Sequence, residues 1–76
     1  MEIYNNTSDE VVYNVSSSTI DDSGTLDPGE TSDDDPAYDN QQNATVTFAT
    51  TSGNTFGINI PESKEGMTIT VGVYFE

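Results

Sequence analysis

Eight of the fourteen carboxylates in this 76-residue chain fall within DDSGTLDPGETSDDDPAYDN, residues 21–40, where no lysine or arginine answers them. Oxygens gathered this closely can do three kinds of chemistry: hold a hard cation, share a proton between two acids, or meet a cationic partner. Calcium takes roughly six to eight oxygen ligands from flexible loops, and Asp33, Asp35 and Asp39 are spaced to supply some of them. Asp21, Ser23 and Asp27 form an alternative set. The EF-hand pattern is not met, because DDSGTLDPGETS brings Gly24 too early and has no flanking helices. No cofactor is expected, with Ca2+ as the one candidate.

Proton sharing and nucleophilic catalysis find less support. The chain has no histidine and no cysteine, and no serine stands three residues before Lys64, its single cation. A serine or threonine nucleophile would lack an ordinary base. Asp22-Ser23-Gly24 resembles the three-residue heart of the dimeric aspartic proteases, in which two such aspartates share a proton. Here, however, Asp22 follows another acid instead of an apolar strand, and Asp-Ser-Gly is also common turn chemistry. A glycosidase pair would need carboxylates on opposed walls of a sugar cleft, which so short a chain disfavours. The sequence therefore reads as non-enzymatic.

The third option, a cationic partner, fits the charge. Formal net charge is -13, beyond the magnitude of about 2 to 8 usual for a small domain. Charges ~6 Å apart in water repel by ~0.7 kcal/mol before screening, so the consecutive Asp33, Asp34 and Asp35 need something to offset them. A stiff scaffold with carboxylates spaced like the phosphates of a duplex, about one per ~1.7 Å of axis, can occupy the nucleic-acid channel of a basic protein. The expected function is a small acidic interaction module, an inhibitor imitating nucleic-acid charge. Its contacts are expected from Asp33, Asp34, Asp35 and Asp39 first, then from Asp21, Asp22, Asp27 and Glu30.

The alternative is a structural or calcium-stabilised module that forms homo-oligomers through edge strands. Its acidity would then belong to a salt-rich medium, where screening acts within ~3 Å at about 1 M. Direct binding to nucleic acid or to an anionic membrane is not expected, since phosphate contacts need cations and Lys64 stands alone. No segment has the length of a signal peptide's apolar run or of a membrane span, so the expected location is cytoplasmic, in a host cell if a phage encodes the chain. Asn-x-Ser/Thr triplets at Asn5, Asn6, Asn14 and Asn43 read as chance in a chain this rich in serine, threonine and asparagine.

The elements that must carry these acids are strands. MTITVGVYF alternates Met67, Ile69, Val71, Val73 and Phe75 on one face and predicts a long strand. FGINI does the same with Phe56, Ile58 and Ile60, and ATVTFAT with Ala44, Val46 and Phe48. TSGN at 51–54 offers a hairpin turn, and PESKEG at 61–66 opens with a ladder-breaking proline, so the three strands should follow as an antiparallel meander. EIYN and EVVYNVSSS add two strands, with Val11, Tyr13 and Val15 on one face and Val12 on the other. Strong helix formers are scarce and no substantial helix is credible.

The expected fold is one all-β domain over 1–76, with an acidic, loop-rich segment at 19–43. Its five to seven short strands would form a small antiparallel two-sheet sandwich, immunoglobulin-like or a partly open barrel. Within the acidic segment, LDPGE is a type II turn, with Pro28 fixing φ, Gly29 accepting a positive φ, and Leu26 and Tyr38 anchoring the flanks. The run N-x-T-x-x-x-V-x-Y-x-V followed by L-x-P-G-E, residues 5–30, resembles pieces of immunoglobulin-like sandwiches, among them the major-sperm-protein-like domains. The likeness carries no partner or site residue with it.

Overall fold

A computed structural model describes residues 1–32 and 36–74. Six strands run in order: β1 (Glu2–Tyr4), β2 (Val11–Ser16), β3 (Asp21–Leu26), β4 (Gln42–Thr50), β5 (Thr55–Glu62) and β6 (Thr68–Thr70). Two short 3-10 turns, Pro36–Tyr38 and Val71–Tyr74, complete the described elements. None of the described residues forms a helix long and apolar enough to cross a membrane. The chain is all-β, in two sheets that do not close into a barrel: a four-stranded sheet in the order β3-β2-β4-β5 and a two-stranded sheet of β1 and β6.

Alternation decides which side of the larger sheet is covered. Val11, Tyr13 and Val15 of β2 lie opposite Thr50, Phe48 and Val46 of β4. From there Ala44, Val46 and Phe48 pair with Ile60, Ile58 and Phe56 of β5. Val11, Tyr13, Val15, Ala44, Val46, Phe48 and Ile60 join Met1 and Ile3 at the N-terminus, Leu26, Tyr38, and Ile69 and Val71 near the C-terminus in one hydrophobic cluster, with Ile58 packed against it. Both sheets thus contribute to a single core, as period-2 patterning requires.

Three local expectations fail, each for a physical reason. The long strand over 67–75 is instead the three-residue β6 followed by the 3-10 turn. β6 pairs with β1, and the register Glu2↔Thr68 to Tyr4↔Thr70 exhausts β1, whose chain then turns away at Asn5. The amide of Gly72 donates to Asn6 Oδ1 at 2.6 Å and turns the backbone, leaving Val73 63% exposed. This pairing is parallel, so neither the wholly antiparallel sheet nor the β5–β6 meander holds.

Pro61 does not end β5, which continues to Glu62. Thr50 N donates to Asn54 O at the hairpin, and alternation from that bond turns the backbone groups of Thr55, Gly57, Asn59 and Pro61 away from β4. The missing N–H of Pro61 therefore costs no ladder bond on an edge strand. The acidic, loop-rich segment at 19–43 includes one full strand, β3, paired along its whole length with β2. The turn after it does form: Glu30 N donates to Asp27 O at 2.9 Å and Gly29 has φ 82.

Candidate interaction edge

β3 sends the acidic stretch down one margin of the larger sheet. Its register with β2 places Asp21 opposite Ser16 and Asp22 opposite Val15. The two aspartates consequently face opposite sides of the sheet. Asp21 accepts a hydrogen bond from Asn14 Nδ2 at 3.1 Å on the outer side. Asp22 accepts one from the Tyr38 hydroxyl at 3.0 Å on the other. At the far end of β3 the turn exposes Asp27 and Glu30, where Glu30 Oε1 accepts from Asp27 N at 3.1 Å.

Asp21, Asp22, Asp27 and Glu30 are all exposed and lie along one edge strand and its turn. Asp39 is separate from that edge. Only 14% of its side-chain surface is exposed, and Oδ1 pairs with the N-terminal ammonium of the buried Met1. Asp33, Asp34 and Asp35 lie outside the described residues.

Strand geometry settles one of the two calcium sets. From Asp21 to Asp27 an extended chain spans ~20 Å, far more than the diameter of any cation shell, so Asp21, Ser23 and Asp27 do not converge. Among the described residues no group of three acids is placed to hold a metal ion. Of the other set only Asp39 is described, and it is engaged by the ammonium. The aspartic-protease likeness gains nothing either: Asp22 sits within a strand and is bonded to a tyrosine.

Beneath the edge lies a pair of tyrosines, Tyr13, which alternation puts on the core face, and Tyr38, expected as a flank of the LDPGE turn; the hydrogen bonding of their hydroxyls left no mark in the sequence pattern. Tyr13 is directly opposite Gly24, and its ring lies across the bare backbone there. A Cβ on Gly24 would come within 2.6 Å of Tyr13 Oη and 2.7 Å of Cε2. Glycine in the middle of a strand is otherwise unfavourable, so this contact is the reason for it. Gly24→Ala is expected to cost about 1–3 kcal/mol through overpacking. Chemical denaturation checks this, and a Tyr13→Leu background should remove most of the cost, since the two residues share one space.

Tyr38 is buried at the end of the first 3-10 turn. Burial first, then hydrogen bonding to Tyr13 and to Asp22, pushes its hydroxyl well above the ordinary tyrosine value of 10.0. The unfolded chain therefore releases this proton at lower pH than the folded one. Tyr38's contribution to stability is complete below pH ~10 and is lost as pH rises beyond it. Melting between pH 9 and pH 11.5 should fall more steeply for the parent than for Tyr38→Phe, and equal slopes would contradict the assignment.

Loops on either side are pinned by buried polar residues. Ser63 is fully buried; its hydroxyl donates to Tyr38 O at 2.6 Å and accepts from Gln41 N at 2.8 Å. Ser32 Oγ accepts from Ile3 N at 2.8 Å. Asn5, also fully buried, holds the 5–9 turn and the end of β3 together. Its burial leaves no room for a glycan, so the first Asn-x-Thr triplet is a structural device.

The opposite side of the molecule differs in charge. Residues 40–61 contain no charged side chain, and they form nearly all of the β4–β5 hairpin. This asymmetry stood in the sequence as a charge pattern, and attention to the acids alone overlooked it. A concavity of about 620 Å³ spans all four strands of the larger sheet, lined by Asn14 of β2, Ser23 of β3, Thr47 and Ala49 of β4 and Gly57 of β5 among others, and its lining holds no carboxylate. Compared with known protein families, with curated proteins and with solved structures, the chain matches none of them.

Proposed function

We propose that the chain is a non-enzymatic interaction module that docks its acidic edge, β3 and the turn after it, on a basic protein surface of the kind that binds nucleic acid. We read the two sheets as the layers of a small immunoglobulin-like sandwich that serves as the stiff platform. One observation carries the reading: Asp21, Asp22, Asp27 and Glu30 are exposed along a single sheet margin, while the β4–β5 side is neutral up to Pro61. Four carboxylates gathered on one margin, against none in residues 40–61, bias the field toward that margin and steer a cationic partner to it.

Asp33, Asp34 and Asp35 follow the turn in sequence and add to the same charge. Asp39, held by the N-terminal ammonium, contributes least. The chain's partners are proteins: with Lys64 as the one cationic side chain and a net charge of -13, phosphate backbones and anionic membranes are repelled. The experiment is capture on a set of purified duplex-DNA-binding proteins, with duplex DNA as competitor. A charge mimic binds at the nucleic-acid site and is displaced by the duplex; binding that ignores the duplex would defeat the reading.

A further inference from the structure

The second margin of the four-stranded sheet is β5, and among the described residues no strand lies beyond it. An open edge is a template for another strand unless something blocks it. β3, the other margin, carries Asp21 and Asp22, and β5 is closed at one end by Pro61 and Glu62. Thr55 to Ile60 carries neither charge nor proline. Alternation from the Thr50–Asn54 bond aims the outward backbone groups of Thr55, Gly57 and Asn59 away from the sheet.

We infer that β5 pairs with β5 of a second copy, antiparallel about Gly57, making a continuous eight-stranded sheet in a two-fold dimer. Charge selects the occupant. Two chains of net charge -13 can approach only where their carboxylates are remote. The middle of β5, Thr55 to Ile60, is that place: Asp9, which accepts from Ser52 Oγ at 2.7 Å, and Glu62 stand only at its two ends, and β3 of each copy is three strand spacings, ~14 Å, from β5. A cationic partner is drawn to the other margin.

The register is self-complementary. Gly57 faces Gly57 of the second copy, and Thr55 faces its Asn59, so about six main-chain hydrogen bonds use every outward group from 55 to 59. On the core side, Phe56 faces the second copy's Ile58. Phe56 is 39% exposed in the single chain despite its ring packing on Tyr74 at 5.3 Å, and Ile58 is partly exposed. Cross-strand pairing covers both. Gly57 at the centre keeps the outer surface of the junction free of bulk.

Sedimentation equilibrium tests the pairing. The expected species has twice the 8.2 kDa of one chain, and association strengthens as salt rises because the copies are polyanions. Asn59→Pro deletes an outward N–H without touching the β4 ladder, and Thr55→Glu sets a carboxylate near the junction; each should weaken association by about tenfold or more. Gly57→Cys should form a disulfide dimer on mild oxidation, since directly facing Cα atoms lie ~5.5 Å apart, whereas Ser23→Cys should not. A monomer at all salt concentrations up to ~1 mM chain would overturn the inference, leaving the edge to a foreign strand. So would a dimer that both substitutions leave unchanged. The opposite salt dependence separates this contact from the acidic docking edge, so either can fail alone.

Discussion

Asn5→Ala is expected to cost about 3 kcal/mol, a large share of what holds this domain together. The Asn5 side chain is fully buried and makes four hydrogen bonds: Nδ2 donates to Asp9 O at 2.8 Å and to Leu26 O at 3.0 Å, and Oδ1 accepts from Thr7 N at 3.0 Å and Thr7 Oγ1 at 2.6 Å. Four bonds at a net ~0.5 kcal/mol each, the low end for groups that water can partly reach, plus ~1 kcal/mol where the buried Leu26 O loses its donor, give the figure. Domains of this length have about 4–11 kcal/mol in all.

The backbone of Asn5 adds to the junction, since its N–H donates to Glu30 O at 3.0 Å and its carbonyl accepts from Gly29 N at 2.7 Å. Losing the side chain should therefore loosen the 27–30 turn that presents Asp27 and Glu30. Urea denaturation of Asn5→Ala beside the parent checks the expectation. Equal midpoints would show that the buried network contributes little.

Neutralising the edge should do the opposite: little to stability, much to binding. The triple variant Asp21→Asn, Asp27→Asn, Glu30→Gln removes three exposed charges and leaves alone Asp22, bonded to Tyr38, and Asp39, paired with the ammonium. At ~4 Å in water each charge pair is worth about 1 kcal/mol, so three lost pairs weaken a complex with a basic partner by about a hundredfold at low salt. Melting temperature should hold or rise slightly as self-repulsion falls. Titration calorimetry gives the affinity and scanning calorimetry the melting point. Unchanged affinity with normal folding would remove these three residues from the interface.

Much of the architecture was legible, and what was missed has identifiable causes. Strict alternation in residues 44–50 and 11–15 sufficed for β4 and β2, because one face of each meets the core and the other meets water. The same alternation misled at 67–75, where the length of a strand is limited by its partner and β1 offers only three residues. Parallel pairing of β1 with β6 joins the two ends of the chain, and no local pattern records such a contact. β3 was hidden because Asp21, Asp22, Ser23 and Gly24 are poor strand formers; tertiary pairing with β2, and the Tyr13 ring across Gly24, override that preference.

The candidate site shows the same division. The acids could be counted from the sequence, but whether they gather or spread depended on the strand. An extended β3 separates Asp21 from Asp27, removes one calcium set, and turns a cluster into a margin. Asp39 looked like its neighbours yet is committed inside the fold. The neutral run at 40–61 was as plain as the acidic one and acquires meaning only when β4 and β5 are seen to share one side.

The dissociation constant of a complex with a duplex-DNA-binding protein, measured from ~50 mM to ~500 mM salt, tests the docking edge most directly. An acidic margin held against a cationic surface should lose affinity steeply and linearly on a log–log plot, and the triple variant should show a shallower slope. A complex whose affinity stays flat across that range would contradict the account.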